Sequence, residues 1–137
     1  MNTFLPYPDF DRSARCLDDR RLGKQRVEAL QILNALQRGH GGWIHHPAVL
    51  MWSGYEDALR LYMNACIREW ISRGFVNRMP LAEVELPIPL PPWLGDRGFH
   101  RSHRSSLLRK DPSFYGRYGW KVPPDLPYVW PGAADTS

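Results

Sequence analysis

A single carboxylate stands beside a run of basic residues in the segment LDDRRLGKQRVEALQIL, which extends from Leu17 to Leu33. In a helix, Arg21, Lys24 and Glu28 follow one another at spacings of three and four residues, so they share one face. One interpretation is an intrahelical ion pair between Lys24 and Glu28, which stabilises a helix by about 0.2–0.5 kcal/mol. The other is a catalytic carboxylate within a basic surface that binds a polyanion.

A second group of residues suited to chemistry lies in the segment HRSHRSSLLRKDPSFYGRYGW, residues 100–120. A guanidinium group binds phosphate through paired hydrogen bonds, and an aromatic ring supports an unstacked base or packs on a sugar. Basic residues interleaved with aromatic ones therefore indicate nucleic-acid binding. The alternative is a set of core aromatic residues beside solvated arginines. The residues in question are Arg101, Arg104, Arg109, Lys110 and Arg117, followed by Phe114, Tyr115, Tyr118 and Trp120.

Positive charge is concentrated in these two parts of the chain. The net charge is +4; residues 12–26 carry +4 and residues 96–121 carry +5, whereas residues 27–95 total −1. Such a distribution predicts a basic surface for nucleic acid if the fold brings the two segments together. A solvated charge distribution without function is the alternative.

The histidines form two pairs with the spacing of possible metal ligands. His45 and His46 are adjacent, and His100 and His103 are spaced for one helical face. No cysteine or acidic residue stands at a convincing ligand spacing beside them. We therefore expect no metal and no cofactor, and we expect these histidines to contact phosphate or helix ends. The sequence also lacks a phosphate-binding glycine loop and a serine-nucleophile motif.

The composition predicts a globular protein of the cytoplasm. Hydrophobic residues make up 43% of the chain and charged residues 23%, which are globular values. No apolar run approaches the roughly 20 residues that span a bilayer, and the N-terminus lacks the pattern of a secretory signal. Cys16 and Cys66 are distant in sequence, so we expect buried thiols rather than a disulfide.

Hydrophobic periodicity predicts a mainly α fold, with one compact domain of about three helices over residues 1–137. A first helix is expected from near Ser13 to before Gly39, and a second over the segment YEDALRLYMNACIREWISRG. A third covers FHRSHRSSLLRKD and ends before Pro112. Pro47 stands where it can begin a short helical turn between the first two.

The proline-rich and aromatic stretches are predicted to be extended. The segment LPIPLPPWLGD cannot form a helix interior, because proline fixes φ and lacks an amide proton. We expect it to lie as a strap across the helices. The segments PSFYGRYGW and VPPDLPYVWPG are predicted to be non-helical, and residues 132–137 are expected to be frayed.

The order of these elements resembles the pyrimidine-dimer DNA glycosylase family. The segment DRRLGKQRVEAL is similar to the family's catalytic helix. HPAVLMW and REWISRGF are similar to its central Pro-led segment and to the long helix that ends in Arg-Gly-Phe. DPSFYGRYGW resembles the aromatic C-terminal stretch that lies against DNA in the family. The resemblance spans nearly the whole chain and rests on the order and spacing of these motifs.

The resemblance implies a metal-independent enzyme that combines glycosylase and abasic-site lyase activity. It places Glu28 on the family's catalytic glutamate. It makes the N-terminal α-amine the nucleophile, which belongs here to Met1 or, after removal of Met1, to Asn2. An ordinary α-amino group has a pKa of about 7.7–8.0, so a usable fraction is neutral at pH 7, whereas an ordinary lysine near 10.4 is almost fully protonated.

The basic segments and the resemblance together imply damaged double-stranded DNA as the partner. Val27 stands where the family has an arginine before the glutamate, so Arg26 or Lys24 is expected to replace it. No membrane and no obligate protein partner are expected, and the protein is expected with DNA in the cytoplasm. The alternatives are a non-catalytic DNA-binding protein and a glycosylase for a lesion other than a pyrimidine dimer. The expected DNA contacts are Arg20, Arg21, Lys24, Arg26, His100, Arg101, His103, Arg104, Tyr115, Arg117 and Tyr118.

Overall fold

The computed structural model describes residues 1–131, and this range contains helices but no strand. The prediction of a mainly α fold is confirmed. The predicted frayed tail, residues 132–137, lies outside the described residues. The helices in the described range are α1 Phe10–Cys16, α2 Asp19–Arg38, α3 Pro47–Leu50, α4 Glu56–Ser72, α5 Arg97–Lys110 and α6 Pro112–Tyr115, followed by a 3₁₀-helix over Gly116–Tyr118.

The predicted first helix is in fact two helices, which separate at Leu17 and Asp18. Both residues have extended backbone, with ψ angles of 144° and 158°. The Asp18 carboxylate accepts a hydrogen bond from the Arg21 N–H and so caps α2. The Tyr115 hydroxyl donates to the same carboxylate. Hydrophobic spacing continues across this break, which is why periodicity alone predicted one helix.

The core forms where α2 and α1 pack against α4. Side chains at three- and four-residue spacing on one face of each long helix are fully buried there. These are Leu22, Ala29 and Ile32 on α2, and Leu59, Tyr62 and Cys66 on α4.

Near the C-terminal end of α4, Trp70 lies directly against α2 at Gly23. A Cβ atom at position 23 would lie 2.9 Å from Cζ3 of Trp70, so glycine permits this close approach. The hydrophobic spacing of this helix predicts that Trp70 and Ile71 both lie on its inner face; Trp70 is half-buried, but Ile71 is 51% exposed. That part of the prediction is wrong, because successive residues are about 100° apart around a helix and Trp70 occupies the contact.

Residues 75–96 connect α4 to α5 without a helix or strand, in agreement with the predicted strap. Side chains fix this segment to the helical body. The Asn64 side chain donates to the Ala82 carbonyl at 2.9 Å and accepts from the Ala82 N–H at 2.8 Å. The Trp93 indole N–H donates to the Met51 carbonyl at 3.0 Å.

The first aromatic stretch is partly helical, contrary to the prediction. Asp111 caps α6 by accepting from the Phe114 N–H at 3.1 Å, and Pro112 occupies the first turn, where its missing amide proton costs nothing. The chain then continues in the 3₁₀-helix. The local hydrogen bonds at Asp111 therefore outweigh the turn signals of the glycines. Residues 121–131 contain no helix, as predicted.

Both cysteines are free and buried, as predicted. Burial raises the pKa of the Cys16 and Cys66 thiols to about 12. Within residues 1–131, no helix is long and apolar enough to cross a bilayer.

An extended N-terminal segment, residues 2–7, crosses the helices and is held by two buried histidines of α5. The Leu5 N–H donates to Nδ1 of His103 at 2.9 Å, and the Leu5 carbonyl accepts from Nδ1 of His100 at 2.7 Å. The Gly95 N–H donates to Nε2 of His100 at 2.8 Å. Burial lowers the pKa of both rings, that of His103 to about 3. Both imidazoles are therefore neutral at pH 7.

The neutral His103 makes stability depend on pH. The pKa of His103 is about 3 in the folded state and about 6.5 in the unfolded chain. Between these two pH values the unfolded chain binds a proton at His103 and the folded state does not. The free energy of unfolding is therefore highest above about pH 6.5, and it decreases as the pH falls from about 6.5 to about 3. In His103→Asn, which keeps an acceptor for Leu5, the loss should be smaller by about 1.4 kcal/mol per pH unit. Denaturant unfolding from about pH 7 to pH 4 measures it.

The exposed His45 provides the matched control, because its ring lies in solvent in both states. His45→Asn should follow the pH profile of the unchanged protein. Identical profiles for His103→Asn and the unchanged protein would contradict the neutral buried imidazole.

Candidate active site

The Gln25 carboxamide joins the N-terminal segment to Glu28. Its Nε2 donates to the Asn2 carbonyl at 2.9 Å and to Oε2 of Glu28 at 2.9 Å. Its Oε1 accepts from the Phe4 N–H at 2.8 Å and lies 2.6 Å from the Tyr62 hydroxyl. The Asn2 carbonyl and the Glu28 carboxylate thus accept hydrogen bonds from the same amide nitrogen.

The orientation of this carboxamide follows from its partners. An amide N–H at Phe4 only donates, whereas the Asn2 carbonyl and an ionised Glu28 only accept. Both N–H groups and both lone-pair positions of Gln25 are therefore used, and the side chain is only 1% exposed. Each partner left unpaired in such a buried place costs about 1–3 kcal/mol, so the arrangement is strongly specified.

Further side chains fix the N-terminal segment from the other side. The Tyr128 hydroxyl donates to Oδ1 of Asn2 at 2.5 Å, and the Trp52 indole N–H donates to Oγ1 of Thr3 at 3.1 Å. The Tyr62 hydroxyl also lies 2.8 Å from the Phe4 carbonyl. Together with Gln25 and the two histidines of α5, these three side chains hold residues 2–5.

Glu28 is half-buried, and burial is the main reason why its pKa is raised above the ordinary glutamate value. The positive charge at the amino group of Met1, the backbone N–H of Asn2, Lys24 and the Gln25 amide act in the opposite direction. Glu28 therefore holds its proton more readily than a solvated glutamate.

The ion pair considered for Lys24 and Glu28 is absent. Among the ion pairs within 4 Å in residues 1–131, none joins these two side chains. The Lys24 side chain is exposed, and Glu28 takes its hydrogen bond from Gln25 instead. The interpretation of the segment as a simple helix-stabilising pair is therefore wrong.

An open cavity of about 500 Å³, called the reactive cavity below, lies over this site. Met1, Asn2 and Glu28 line it together with four basic side chains. Arg21 is partly neutralised by an ion pair with Asp18 at 3.1 Å, whereas no ion pair within residues 1–131 involves the other three. The four basic residues are Arg20, Arg21, Lys24 and Lys110. Sequence reasoning placed Lys110 near phosphate, and the fold brings it here from the far end of α5.

Arg26 lies in a neighbouring groove of about 490 Å³ that also includes Glu28. Its guanidinium donates to Oδ1 of Asn77 at 2.6 Å and stacks on Trp70 at 4.4 Å from the ring centroid. Burial lowers its pKa. These contacts occupy the Arg26 guanidinium, whereas Lys24 lines the reactive cavity.

Three of the predicted DNA contacts are wrong, because their side chains are buried. His100 and His103 are 2% and 0% exposed and bond to Leu5 and Gly95. Tyr115 is 0% exposed and bonds to Asp18. Each was expected on the surface from its neighbours in sequence, yet each faces the N-terminal half of the chain.

The remaining predicted contacts of the second basic segment do not line the reactive cavity. Arg101, Arg104 and Tyr118 line a separate cleft. Arg117 is exposed, and its guanidinium donates to the Phe114 carbonyl at 3.0 Å and stacks on the Phe114 ring. Only Lys110 of this segment reaches the reactive cavity.

The geometry can be compared with known proteins. The sequence model of one family, described as pyrimidine dimer DNA glycosylase, matches residues 1–83, more than half of the chain. The chain belongs to the pyrimidine-dimer DNA glycosylase family. Comparisons with curated proteins and with solved structures gave no significant match.

The part of this glycosylase that the family match covers contains the N-terminal segment, Gln25 and Glu28. Family membership makes the protein a DNA repair glycosylase with DNA as its substrate. The basic helix α5 and the aromatic residues after it lie outside the matched range. Within residues 1–131, no group of three or more His, Cys, Asp or Glu side chains is arranged to hold a metal ion.

Sequence reasoning missed Gln25 and Tyr128 as part of the glycosylase site. Gln25 shares a helical face with Glu28, so the spacing of three residues offered a signal. No local pattern indicated that residues 2–5 would lie on that face; only the family resemblance implied that the N-terminus is near Glu28. Tyr128 had no local signal at all, because its partner Asn2 is 126 positions away.

Glu28→Gln is expected to stabilise the folded glycosylase at pH 7. The folded state holds the Glu28 proton more tightly than the unfolded chain, because its pKa is raised. Stability is therefore lost as the pH rises from about 4.3 through the raised pKa. The Tm difference between variant and unchanged protein should be small near pH 4 and should grow towards pH 7.

Glu85→Gln is the matched control for this measurement, because the Glu85 side chain is exposed. Its Tm should track that of the unchanged protein at each pH. If the Tm difference between Glu28→Gln and the unchanged protein is the same at pH 4 and pH 7, burial does not raise the pKa of Glu28.

Proposed function

We propose that this glycosylase excises a damaged base and cuts the strand at the resulting abasic site through an imine formed by its N-terminal α-amine. The observation that carries the proposal is the double hydrogen bond of Gln25 Nε2 to the Asn2 carbonyl and to Glu28. It holds the start of the chain beside a half-buried carboxylate in an open, basic cavity.

The proposed chemistry begins with attack of the neutral amine on C1′ of the damaged nucleotide. The glycosidic bond breaks, and its electron pair leaves with the base. Loss of a proton from nitrogen and opening of the sugar give an imine between the protein and C1′. The imine acidifies C2′, so removal of a C2′ proton expels the 3′ phosphate by β-elimination and cuts the strand.

Glu28 is proposed to stabilise the cationic sugar and to carry protons between these steps. A carboxylate transfers protons best when its pKa lies nearer to neutrality than that of a solvated glutamate, and partial burial strengthens its attraction to a cation while it is ionised. The raised pKa of Glu28 supports this role. The Gln25 hydrogen bond limits the movement of the carboxylate without neutralising it.

The basic residues around the reactive cavity are proposed to bind the DNA backbone. Extruding a base from duplex costs a few kcal/mol, and phosphate contacts by Arg20, Lys24 and Lys110 offset part of that cost. The family description makes a pyrimidine dimer the first lesion to test.

Glu28→Gln should lower strand cleavage by at least about 100-fold, because it removes the charge that stabilises the cationic sugar and carries the proton. DNA affinity should be unchanged or higher, since a negative charge leaves the interface. Single-turnover cleavage of a dimer-containing duplex and a binding titration measure the two effects. Glu85→Gln is the control, and near-normal cleavage by Glu28→Gln would exclude the proposed role.

Acetylation of the α-amine, or a tag that stays in front of Met1, should abolish borohydride trapping on abasic duplex. The acylated nitrogen is not nucleophilic, and a tag displaces it from Glu28. Duplex binding should persist, because it depends on arginine and lysine side chains. Lys24→Ala is the matched comparison, since its amine lines the same cavity.

The outcomes separate the two possible nucleophiles and the two classes of function. Loss of trapping in the blocked protein alone supports the N-terminal amine, and mass spectrometry of the trapped peptide assigns it to Met1 or Asn2. Loss in Lys24→Ala alone would move the nucleophile to α2. No adduct from the unchanged protein would favour a non-catalytic DNA-binding protein.

A further inference from the structure

A second cleft, of about 610 Å³, lies between the N-terminal half of α5 and the residues after the 3₁₀-helix. We call it the arginine cleft. No residue lines both this cleft and the reactive cavity. Its basic side chains are Arg12, Arg97, Arg101, Arg104 and Lys121, and its aromatic side chains are Tyr7, Tyr118 and Trp120.

The arginine cleft concentrates positive charge without compensation. Five cationic side chains line it and no carboxylate does. Within residues 1–131, none of the five forms an ion pair within 4 Å. The pKa of Arg104 is lowered, first by burial and then by Arg101, Arg12 and Arg97, whereas Tyr7 acts in the opposite direction. The guanidinium groups are therefore close enough to repel one another.

Part of the cleft is rigid. Arg104 donates to the Pro6 carbonyl at 2.7 Å, and Arg12 stacks on the Tyr7 ring at 3.8 Å. The Tyr7 hydroxyl accepts from the indole N–H of Trp120 at 2.7 Å. These contacts fix two guanidinium groups beside a supported aromatic wall, so little ordering remains for a ligand to impose.

The other cations of the cleft have no structural task in the described residues. Arg97, Arg101 and Lys121 make no side-chain hydrogen bond within residues 1–131, whereas Arg104 does. Arg97 and Arg101 are four residues apart on α5, so they lie on one face of the helix. Packing does not require this grouping, and repulsion among like charges opposes it. An anion would relieve the repulsion and use the free donors.

We propose that the arginine cleft is a second phosphate-binding site, which takes two or more neighbouring phosphate groups of one molecule. A single phosphate carries at most about two negative charges, fewer than the five cations present. Arginine binds phosphate oxygens through paired hydrogen bonds, which suits the three or four guanidinium groups here. The phosphates belong either to DNA backbone outside the reactive cavity or to a free oligophosphate.

The first test uses tripolyphosphate, calorimetry at low salt, and Arg97→Ala/Arg101→Ala. The affinity of this double variant for tripolyphosphate should be lower by at least about tenfold, because a loss of about 1.4 kcal/mol or more is expected when charged hydrogen bonds are removed. Arg20→Ala/Lys24→Ala removes the same charge from the reactive cavity and should have a smaller effect. An unchanged affinity in the cleft variant, or a larger loss in the cavity variant, would overturn the proposal.

A second measurement guards against unfolding as the cause of lost binding. Removing two of the mutually repelling charges should leave the Tm at low salt unchanged or raise it. Arg68→Ala, on the exposed side of α4, is the control for the loss of an arginine. A cleft variant that binds tripolyphosphate normally and melts normally would equally overturn the proposal.

The third measurement identifies the source of the phosphates, and only this one rests on the proposed function. It follows binding of an undamaged duplex as a function of salt. If DNA backbone occupies the cleft, the double variant should lose about two units of slope, roughly 0.9 per phosphate contact. An unchanged slope with lost tripolyphosphate binding assigns the cleft to a free oligophosphate. Neither tripolyphosphate binding nor the salt dependence of duplex binding involves an imine. Both results can therefore be interpreted even if no imine is trapped.

Discussion

The carboxamide of Gln25 is the interaction on which the rest of the site depends. It is buried between α2 and the N-terminal segment, and it offers that segment both a donor, to the Asn2 carbonyl, and an acceptor, from the Phe4 N–H, while it also donates to Glu28. Within residues 1–131 no strand lies beside the N-terminal segment, so its polar groups need side-chain partners. Gln25 and His103 supply acceptors for the N–H groups of two consecutive residues, Phe4 and Leu5. Side chains from the helices thereby hold residues 2–5 beside Glu28.

Three features of the structure work against its stability. Glu28 is half-buried without a cationic partner, His103 is kept neutral in the core, and the arginine cleft gathers like charges. Each lowers the free energy of unfolding under some condition of pH or salt. The tight contact of α2 with α4, where Trp70 packs on Gly23, stabilises the fold and offsets part of this loss.

The sequence predicted the long helices well because their hydrophobic spacing is a local property. The family resemblance implied that Glu28 and the N-terminus act together, and in the structure both line the reactive cavity. The sequence-based prediction failed where long-range partners decide the outcome. His100 and Tyr115 look like surface residues beside arginines, but Leu5 and Asp18, each more than 90 positions away, bury them. The division of basic residues between two cavities follows from the same long-range packing.

The hydrogen bonds that hold residues 2–5 do not involve Met1, so the position of the amino group depends on how many residues precede this segment. Gln25 fixes Asn2 and Phe4, and His103 fixes Leu5, so the segment cannot slide by one position without breaking all of these bonds. Loss of Met1 would leave these bonds intact and move the free amine by one residue, about 3.3–3.6 Å, onto the nitrogen of Asn2 that already faces Glu28. One added residue would move it the same distance outward. The number of residues before the fixed positions, rather than their side chains, therefore sets the distance between amine and carboxylate.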